Sequence, residues 1–537
     1  MEIGRCTFGE LSFSKLFIQY VNDYSSLSDY YLTNPFDDQA IAKKAQALTK
    51  PKYATPYIEV LRSYHQFLGI EKAQSENLNK LAQSEALAVV TGQQLGVYGG
   101  PIFTIYKTLT AIQHARKWEK ELNRPVVPVF WLADEDHDFD EIASFNIPGN
   151  NNLDSASLLL SNSNQPVSVV ELDDYERFRS EAEELLFETD FSEELWRLLD
   201  ECYSEGKQHN EAFAQLMSSL FSKHGVVIAG SNTTEIKALL TEEFTYSITH
   251  REQLHKALKE KSESIAINFH QQVVLGSTNL FYVDPDRGRI KIGFENNAWK
   301  IDGIGEYTEE QLKQLVVAHP ERFSPNVFLR PIIQDRLLPT LGYVAGPGEL
   351  AYYGQMRSYY EKFEMDMPVI YPRLSASLVE KGVERALEKL PFKFCEFGKR
   401  VEDLESDYVA SLDSIDLDQV FDDWKKGSQH VAIEPIKSIK SIDSTLEGTS
   451  AKVLAQFETE LDKLKGKVFR SVKQQEQTQL NRIHKVKSQL FPGNGLQERS
   501  VSFPYFMNKY GVEIWDQILA SIEEKDLDAR VHHIFYL

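Results

Sequence analysis

The spacing of apolar residues changes character along the chain. Over residues 1–85 they recur at three and four, as in FDDQAIAKKAQAL and YIEVLRSYHQFLGI, which predicts helices joined by polar connections. At 86–91 the pattern becomes a short unbroken run, ALAVVT, ending in turn residues, as in a strand buried on both faces. A helix over 101–121 follows, then a second β-branched and aromatic run, RPVVPVFWLA (124–133). Two such runs with a helix between them make a parallel βαβ crossover. HGVVIAG (224–230) with the helical TTEIKALLTEEFTYSI behind it repeats the pairing, and NVFLRPIIQ (326–334) and MPVIYP (367–372) read as further strands. This alternation predicts an α/β fold built on an open, doubly wound parallel sheet.

Insertions interrupt the sheet. Residues 151–222 are acidic and helical, and 262–322 are strand-rich, with a hairpin around Asp284-Pro285-Asp286. Between 378 and 490 strand signals nearly vanish. From 451 to 490 Leu454, Phe457, Leu461, Leu464, Val468 and Val472, then Leu480, Ile483, Val486 and Leu490, step by three and four. That seam predicts a coiled-coil helix of roughly 55 Å, interrupted by the polar QQEQTQ (474–479). An earlier helix carrying Leu378, Val383, Leu387 and Leu390 is expected to pair with it, and a homodimer through this stalk is expected. The expected partition is a core with N-terminal helices (1–150), a helical insertion (151–222), core (223–261), a second insertion (262–322), core (323–377), a helical coiled coil (378–490) and a C-terminal segment packing back on the core (491–537).

Composition narrows the function. The chain of 537 residues is too long for one core, and 42% hydrophobic with 26% charged residues is ordinary globular usage. A net charge of −22 repels phosphate backbones and argues against nucleic acid as a partner. Cys6, Cys202 and Cys395 are widely scattered, no disulfide framework can be read from them, and a cytoplasmic location is expected. MEIGRCTFGELSFSKLF has no secretory h-region, and no apolar run is long enough for a membrane span.

Candidate chemistry lies where the strands end. In TGQQLGVYGGPIFTIYK (91–107), Thr91, Gln93, Gln94, Gly99 and Gly100 lie between strand and helix. Pro101 is suited to a first helical position, whose free N–H groups favour an anion. Thr104 and Lys107 share one face of the first turns. A lysine near the positive helix end is unfavourable unless an anion pairs with it, so Lys107 is expected to contact a phosphate or carboxylate, and its removal to leave the fold intact. Neither a Walker pattern nor GxGxxG is present. In ADEDHDFDEI (133–142) carboxylates surround His137 at a strand's carboxyl end. Asp134, Asp136, His137 or Asp138 could hold a divalent metal, or a substrate ammonium with His137 as base. In SPNVFLRPIIQDRLLPTLGYVAGPGELAYYGQM (324–356), Gly346 and Gly348 turn the chain before Glu349, while Arg330, Gln334 and Asp335 bracket the preceding strand end. Arg330 could fork onto a carboxylate or phosphate, or pair structurally with Asp335 or another acid. In YPRLSASLV (371–379), Arg373, Ser375 and Ser377 lie at a predicted helix start, where a serine caps and Arg373 could clamp a nucleotide phosphate.

These strings, together with LFPGNGLQERSVSFPYFMNKYG (490–511), resemble the bacillithiol biosynthesis cysteine-adding enzyme family over essentially the whole chain. The resemblance implies a Rossmann-like core with connecting insertions and a C-terminal coiled coil. It implies a cysteine ligase that joins the carboxylate of cysteine to the amine of glucosaminyl-malate in the last step of bacillithiol biosynthesis. ATP or another nucleotide is the expected activator. Asp136, His137, Asp138 and Lys107 are then the candidate catalytic residues, and the others named above the candidate binding residues. The same motifs would also serve a nucleotidyltransferase-like enzyme acting on another small carboxylate. A non-catalytic coiled-coil scaffold is the reading from a different class.

Overall fold

The computed structural model describes residues 2–136, 139–149, 152–159, 165–412 and 417–537. Two compact units emerge: Met1–Pro148 with Leu153–Ser377 and Gln497–Phe535, and Gly149–Asn152 with Leu378–Leu496 and Tyr536–Leu537. The strands in chain order are β1 (Glu2–Thr7), β2 (Leu87–Gln93), β3 (Val126–Leu132), β4 (Ser144–Pro148), β5 (Leu153–Ser157), β6 (Val227–Ala229), β7 (Leu280–Asp284), β8 (Gly288–Glu295), β9 (Ala298–Ile301), β10 (Gly305–Tyr307), β11 (Phe323–Pro325), β12 (Thr340–Ala345), β13 (Val369–Pro372), β14 (Ser375–Val379) and β15 (Val531–Tyr536).

The main sheet of the first unit is ordered β13-β12-β2-β3-β6, and its pairings are parallel. From β2 the chain passes through the Phe103–Leu122 helix to β3 and on to β6; β12 and β13 later add on the other side of β2. The strand order therefore reverses between β12 and β2, the place where such a sheet opens a crevice at its carboxyl ends. β2 and β3 are buried along almost their whole length, the physical reason for their unbroken apolar runs. The expected Rossmann-like parallel sheet is present. The second insertion folds as an antiparallel sheet, β10-β9-β8-β7-β11. Its β7–β8 hairpin turns where Asp284 Oδ1 accepts from the N–H groups of Asp286 and Arg287, both at 3.0 Å.

Local structure departs from the sequence reading at definite points. Residues 326–334 are not a strand: Leu329–Leu337 is helical, and Asn326 Oδ1 caps it by accepting from Phe328 and Leu329 N–H groups at 3.0 and 3.1 Å. The apolar run masked this cap, and Pro331 is tolerated because a first-turn N–H has no helical partner. Ser375 and Ser377 do not start a helix; they alternate along β14, which joins β15 and β1 in a three-stranded sheet. The helix expected over 101–121 begins at Phe103, and Pro101 bridges to Ser502 instead.

In the second unit Glu447–Gln475 packs against Leu417–Ile442. Lys425–Asp462 and Gln429–Glu458 contacts at 2.6 and 2.7 Å fix an antiparallel register. The helix expected to pair with the whole 451–490 seam meets only its C-terminal part, and Leu417–Ile442 takes the rest. Gly427 and Pro435 inside Leu417–Ile442 speak against helix by propensity, and that hid it. Leu378 belongs to β14, while Lys381–Leu387 lies on Gln477–Leu490. The seam breaks at Glu476, inside the polar stretch.

Candidate active site

The crevice between β2 and β12 is a chamber of about 270 Å³. Gln93 and Gln94 reach it from the end of β2, Ala133 from β3, Gly346, Gly348 and Glu349 from the turn after β12, and Arg373 from β13. Lys107 comes up from the helix between β2 and β3. Its ammonium is buried and donates to Gly92 O at 2.7 Å and Gln93 Oε1 at 2.9 Å, and it forms an ion pair with Glu349. Burial pulls the Lys107 pKa below its ordinary value, with Glu349 opposing. Glu349 also accepts from Tyr343 Oη at 2.7 Å and Gly346 N at 2.8 Å. The lysine expected to wait for an anion has one from its own chain.

Arg330 and Gln334 enter the same chamber from the Leu329–Leu337 helix. No carboxylate among the described residues forms an ion pair with Arg330. Burial works against its charge, but Tyr352, Tyr343, Asp136 and Glu349 outweigh burial and raise its pKa above the ordinary value. Arg330 lies at a wall shared with a second chamber of about 380 Å³, which also holds Gln94, Glu135, Asp136, Arg289 and Lys291. Asp136 pairs there with Arg289 at 3.1 Å and accepts from Gln94 Nε2 at 3.2 Å. The amide oxygen of Gln94 is buried without a hydrogen-bond partner among the described residues.

The acidic stretch is neutralised from within the chain. Glu135 is buried in an ion pair with Lys237, and Ser231 donates to it. Asp134 is buried and lines neither chamber, with Oδ1 unpartnered among the described residues. Burial, reinforced by Glu135, pushes its pKa up to about 7. His137 and Asp138 lie outside the described residues. Among the described residues no group of three or more His, Cys, Asp or Glu is arranged to hold a metal.

Several predicted site residues sit elsewhere. Thr91 donates to Val344 O at 3.1 Å inside the sheet. Gly99 and Gly100 have φ of +84° and +75°, which favours glycine, and an added Cβ at Gly99 would lie 2.2 Å from the Phe503 ring. Thr104 is buried with its hydroxyl unpartnered among the described residues. The N–H of Ile102 bonds to Val501 O at 3.0 Å, so the C-terminal segment covers the helix start expected to bind an anion. Asp335 faces a different cavity, lined also by Lys44 and Asp366, and accepts from Tyr360 Oη at 2.7 Å. Ser375 donates to Glu498 Oε1 at 3.0 Å and contacts His532 Nδ1 at 2.8 Å, while Ser377 meets His532 Nε2 at 3.0 Å. Arg373 is held at both ends by Glu498, at 3.0 and 2.7 Å.

Several residues that line the two chambers carry no local sequence signal. Arg289 comes from the second insertion, and Tyr343 and Tyr352 from apolar-looking runs. Glu498 and Arg499 lie in LQERS, inside the C-terminal string already singled out, where a paired Glu-Arg in an apolar setting was the available signal. No described helix is long and apolar enough to cross a membrane.

Comparison with known proteins agrees with this architecture. Residues 1–374 match the family model "Bacillithiol biosynthesis BshC, N-terminal Rossmann-like domain", and residues 376–537 match "Bacillithiol biosynthesis BshC, C-terminal coiled-coil domain". Among curated relatives, "Putative cysteine ligase BshC" of Salinibacter ruber is 32% identical over 94% of both chains. The protein of the same name from Oceanobacillus iheyensis is 28% identical over 94% of this chain and 95% of its own. That of Chlorobaculum tepidum is 31% identical over 88% of this chain and 87% of its own. With both domain models matched end to end, the chain belongs to the bacillithiol biosynthesis BshC family.

Proposed function

We propose that the chain is a ligase that joins the carboxylate of cysteine to the amine of glucosaminyl-malate, as the last step of bacillithiol biosynthesis, with ATP as activator. The observation that carries this reading is Arg330: a half-buried guanidinium without a carboxylate partner among the described residues, on the wall between two adjoining chambers. Amide formation from a free carboxylate is uphill in water, so one substrate must be activated before the other attacks. Two chambers meeting at one cation suit that order of events. The relatives' name supports the ligase class.

The first chamber has the groups a nucleotide phosphate needs. Gly346 and Gly348 allow close backbone approach, and Arg330 and Arg499 provide charge. Lys107 is not available for that work, because Glu349 already neutralises it. ATP, when bound, supplies the energy that makes the carboxylate open to attack. In the second chamber Asp136, fixed by Arg289 and Gln94, offers a carboxylate to the incoming ammonium before it loses its proton. The test is direct: incubate the protein with cysteine, glucosaminyl-malate and ATP, and follow the amide product by mass spectrometry. Product that requires all three components, and is lost with Arg330→Gln, supports the reading. No product with any nucleoside triphosphate sinks it; product from another small carboxylate would replace cysteine or its acceptor.

A further inference from the structure

The family model for the coiled-coil domain spans 376–537, yet Gln497–Phe535 folds into the first unit. The short Gln497–Ser500 helix of that segment brings Glu498 and Arg499 to the sheet. Glu498 is fully buried. Its carboxylate accepts from both terminal nitrogens of Arg373, from Ser375 Oγ at 3.0 Å and from Ala376 N at 2.9 Å. Burial would raise its pKa, but Arg373 and these donors keep it below the ordinary glutamate value. One carboxylate thus fixes a guanidinium that lines the first chamber. Arg373 Nη1 and Nη2 are taken up by Glu498 and by Leu374 O, while Nε lies toward Gly346, where an added Cβ would stand 3.7 Å from it. The next residue, Arg499, is exposed at the rim of the same chamber, with no ion pair among the described residues.

We infer that Gln497–Ser500 is part of the binding site: Arg499 is a rim contact for an anionic group of the substrate, and Glu498 is the positioning residue that sets Arg373 and Arg499 around the chamber. The chemistry recognised is a phosphate or a carboxylate. This inference rests on the reading of the chamber as the substrate site and deepens it. An arginine whose only neighbour of opposite charge is the ligand gains more on binding than one already paired, because no internal ion pair has to be given up. Glu498 compensates the second arginine in advance, so the chamber is not left with uncompensated buried charge.

The experiment is calorimetric titration of the full chain with ATP and, separately, with glucosaminyl-malate, for the wild type, Arg499→Gln, Arg499→Lys, Glu498→Gln and Glu498→Asp. Melting temperature and the KM and kcat of product formation are read on the same samples. Arg499→Gln is expected to weaken one of the two ligands about tenfold, raise KM more than it lowers kcat, and leave the melting temperature unchanged, with Arg499→Lys partly restoring affinity. The ligand affected tells phosphate from carboxylate. Glu498→Gln should weaken the same ligand and Glu498→Asp should recover part of it. Wild-type affinity for both ligands in Arg499→Gln overturns the inference, even if Glu498→Gln fails to fold; so does the absence of binding of either ligand to the wild type. Product formation at wild-type KM by Arg499→Gln removes the inference and keeps the ligase reading. Lost affinity in Arg499→Gln with no product from the wild type does the reverse.

Discussion

Lys107 and Glu349 neutralise each other in the chamber wall, joining the helix after β2 to the turn after β12. This reverses the expectation that Lys107 could be removed at no structural cost. Lys107→Met leaves Glu349 largely buried without its cation, and is expected to destabilise the fold by about 2–4 kcal/mol. Lys107→Met with Glu349→Gln should recover part of that loss. Denaturant titration of the four proteins gives the coupling; additive effects would mean the pair does not interact energetically.

Asp134 makes stability depend on pH in a defined direction. Its folded pKa, about 7, lies above the usual aspartate value. The native state therefore holds more protons than the unfolded chain between about pH 4 and 7, and its contribution to stability falls as pH rises through that window. Asp134→Asn cannot titrate, so its stability relative to the wild type should improve by on the order of 2–4 kcal/mol from pH 4 to pH 7.5. Glu135 and Lys237 stay in both proteins and largely cancel from the difference. Urea denaturation across this range checks it; parallel curves for the two proteins would assign the shift to another group.

Arg330→Gln keeps hydrogen-bonding capacity and removes charge from the wall between the chambers. Product formation is expected to fall at least tenfold in kcat/KM, with little change in melting temperature, since no internal ion pair is broken. Arg330→Lys should restore less than half of the lost activity, because a point charge cannot fork onto a carboxylate or phosphate. Steady-state kinetics of the three proteins decide it.

The paired helices of the second unit leave Trp424, Val431, Val453, Phe457 and Leu464 exposed, although Leu461 between them is buried. A homodimer through this face is expected. Phe457→Glu with Leu464→Glu should shift sedimentation from dimer to monomer without loss of helicity. A wild type that is already monomeric at micromolar concentration would remove the expectation.

The sheet was legible in the sequence because its strands are buried on both faces, and continuous apolar runs such as Leu87–Val90 have few other uses. Gln93, Gln94, Lys107, Gly346, Glu349 and Arg373 could be placed near the carboxyl ends by the same logic, and they do line one chamber, which Arg330 joins from a helix that reads as a strand in the sequence. What each of them touches was not legible. Lys107 finds Glu349, and Arg373 finds Glu498 across 125 positions, and no local spacing encodes such a meeting. Ser375 and Ser377 misled because a serine pair before a helix is a capping signal, while the same pair two apart in a strand faces one neighbour, here His532.

The seating of Ser502 has a consequence for how the protein is made. Its hydroxyl accepts from the N–H of Asn146, 356 positions earlier, and Phe503 covers the glycine turn after β2. During synthesis the strands of the parallel sheet, the last of which ends at Pro372, are made before this segment. Until then the turn at Gly99 is uncapped and the first chamber lacks Arg499. A nascent chain stalled in the helical hairpin would carry all the strands of the main sheet but neither Phe503 over the glycine turn nor Arg499 at the chamber, so both arrive together in a single late step.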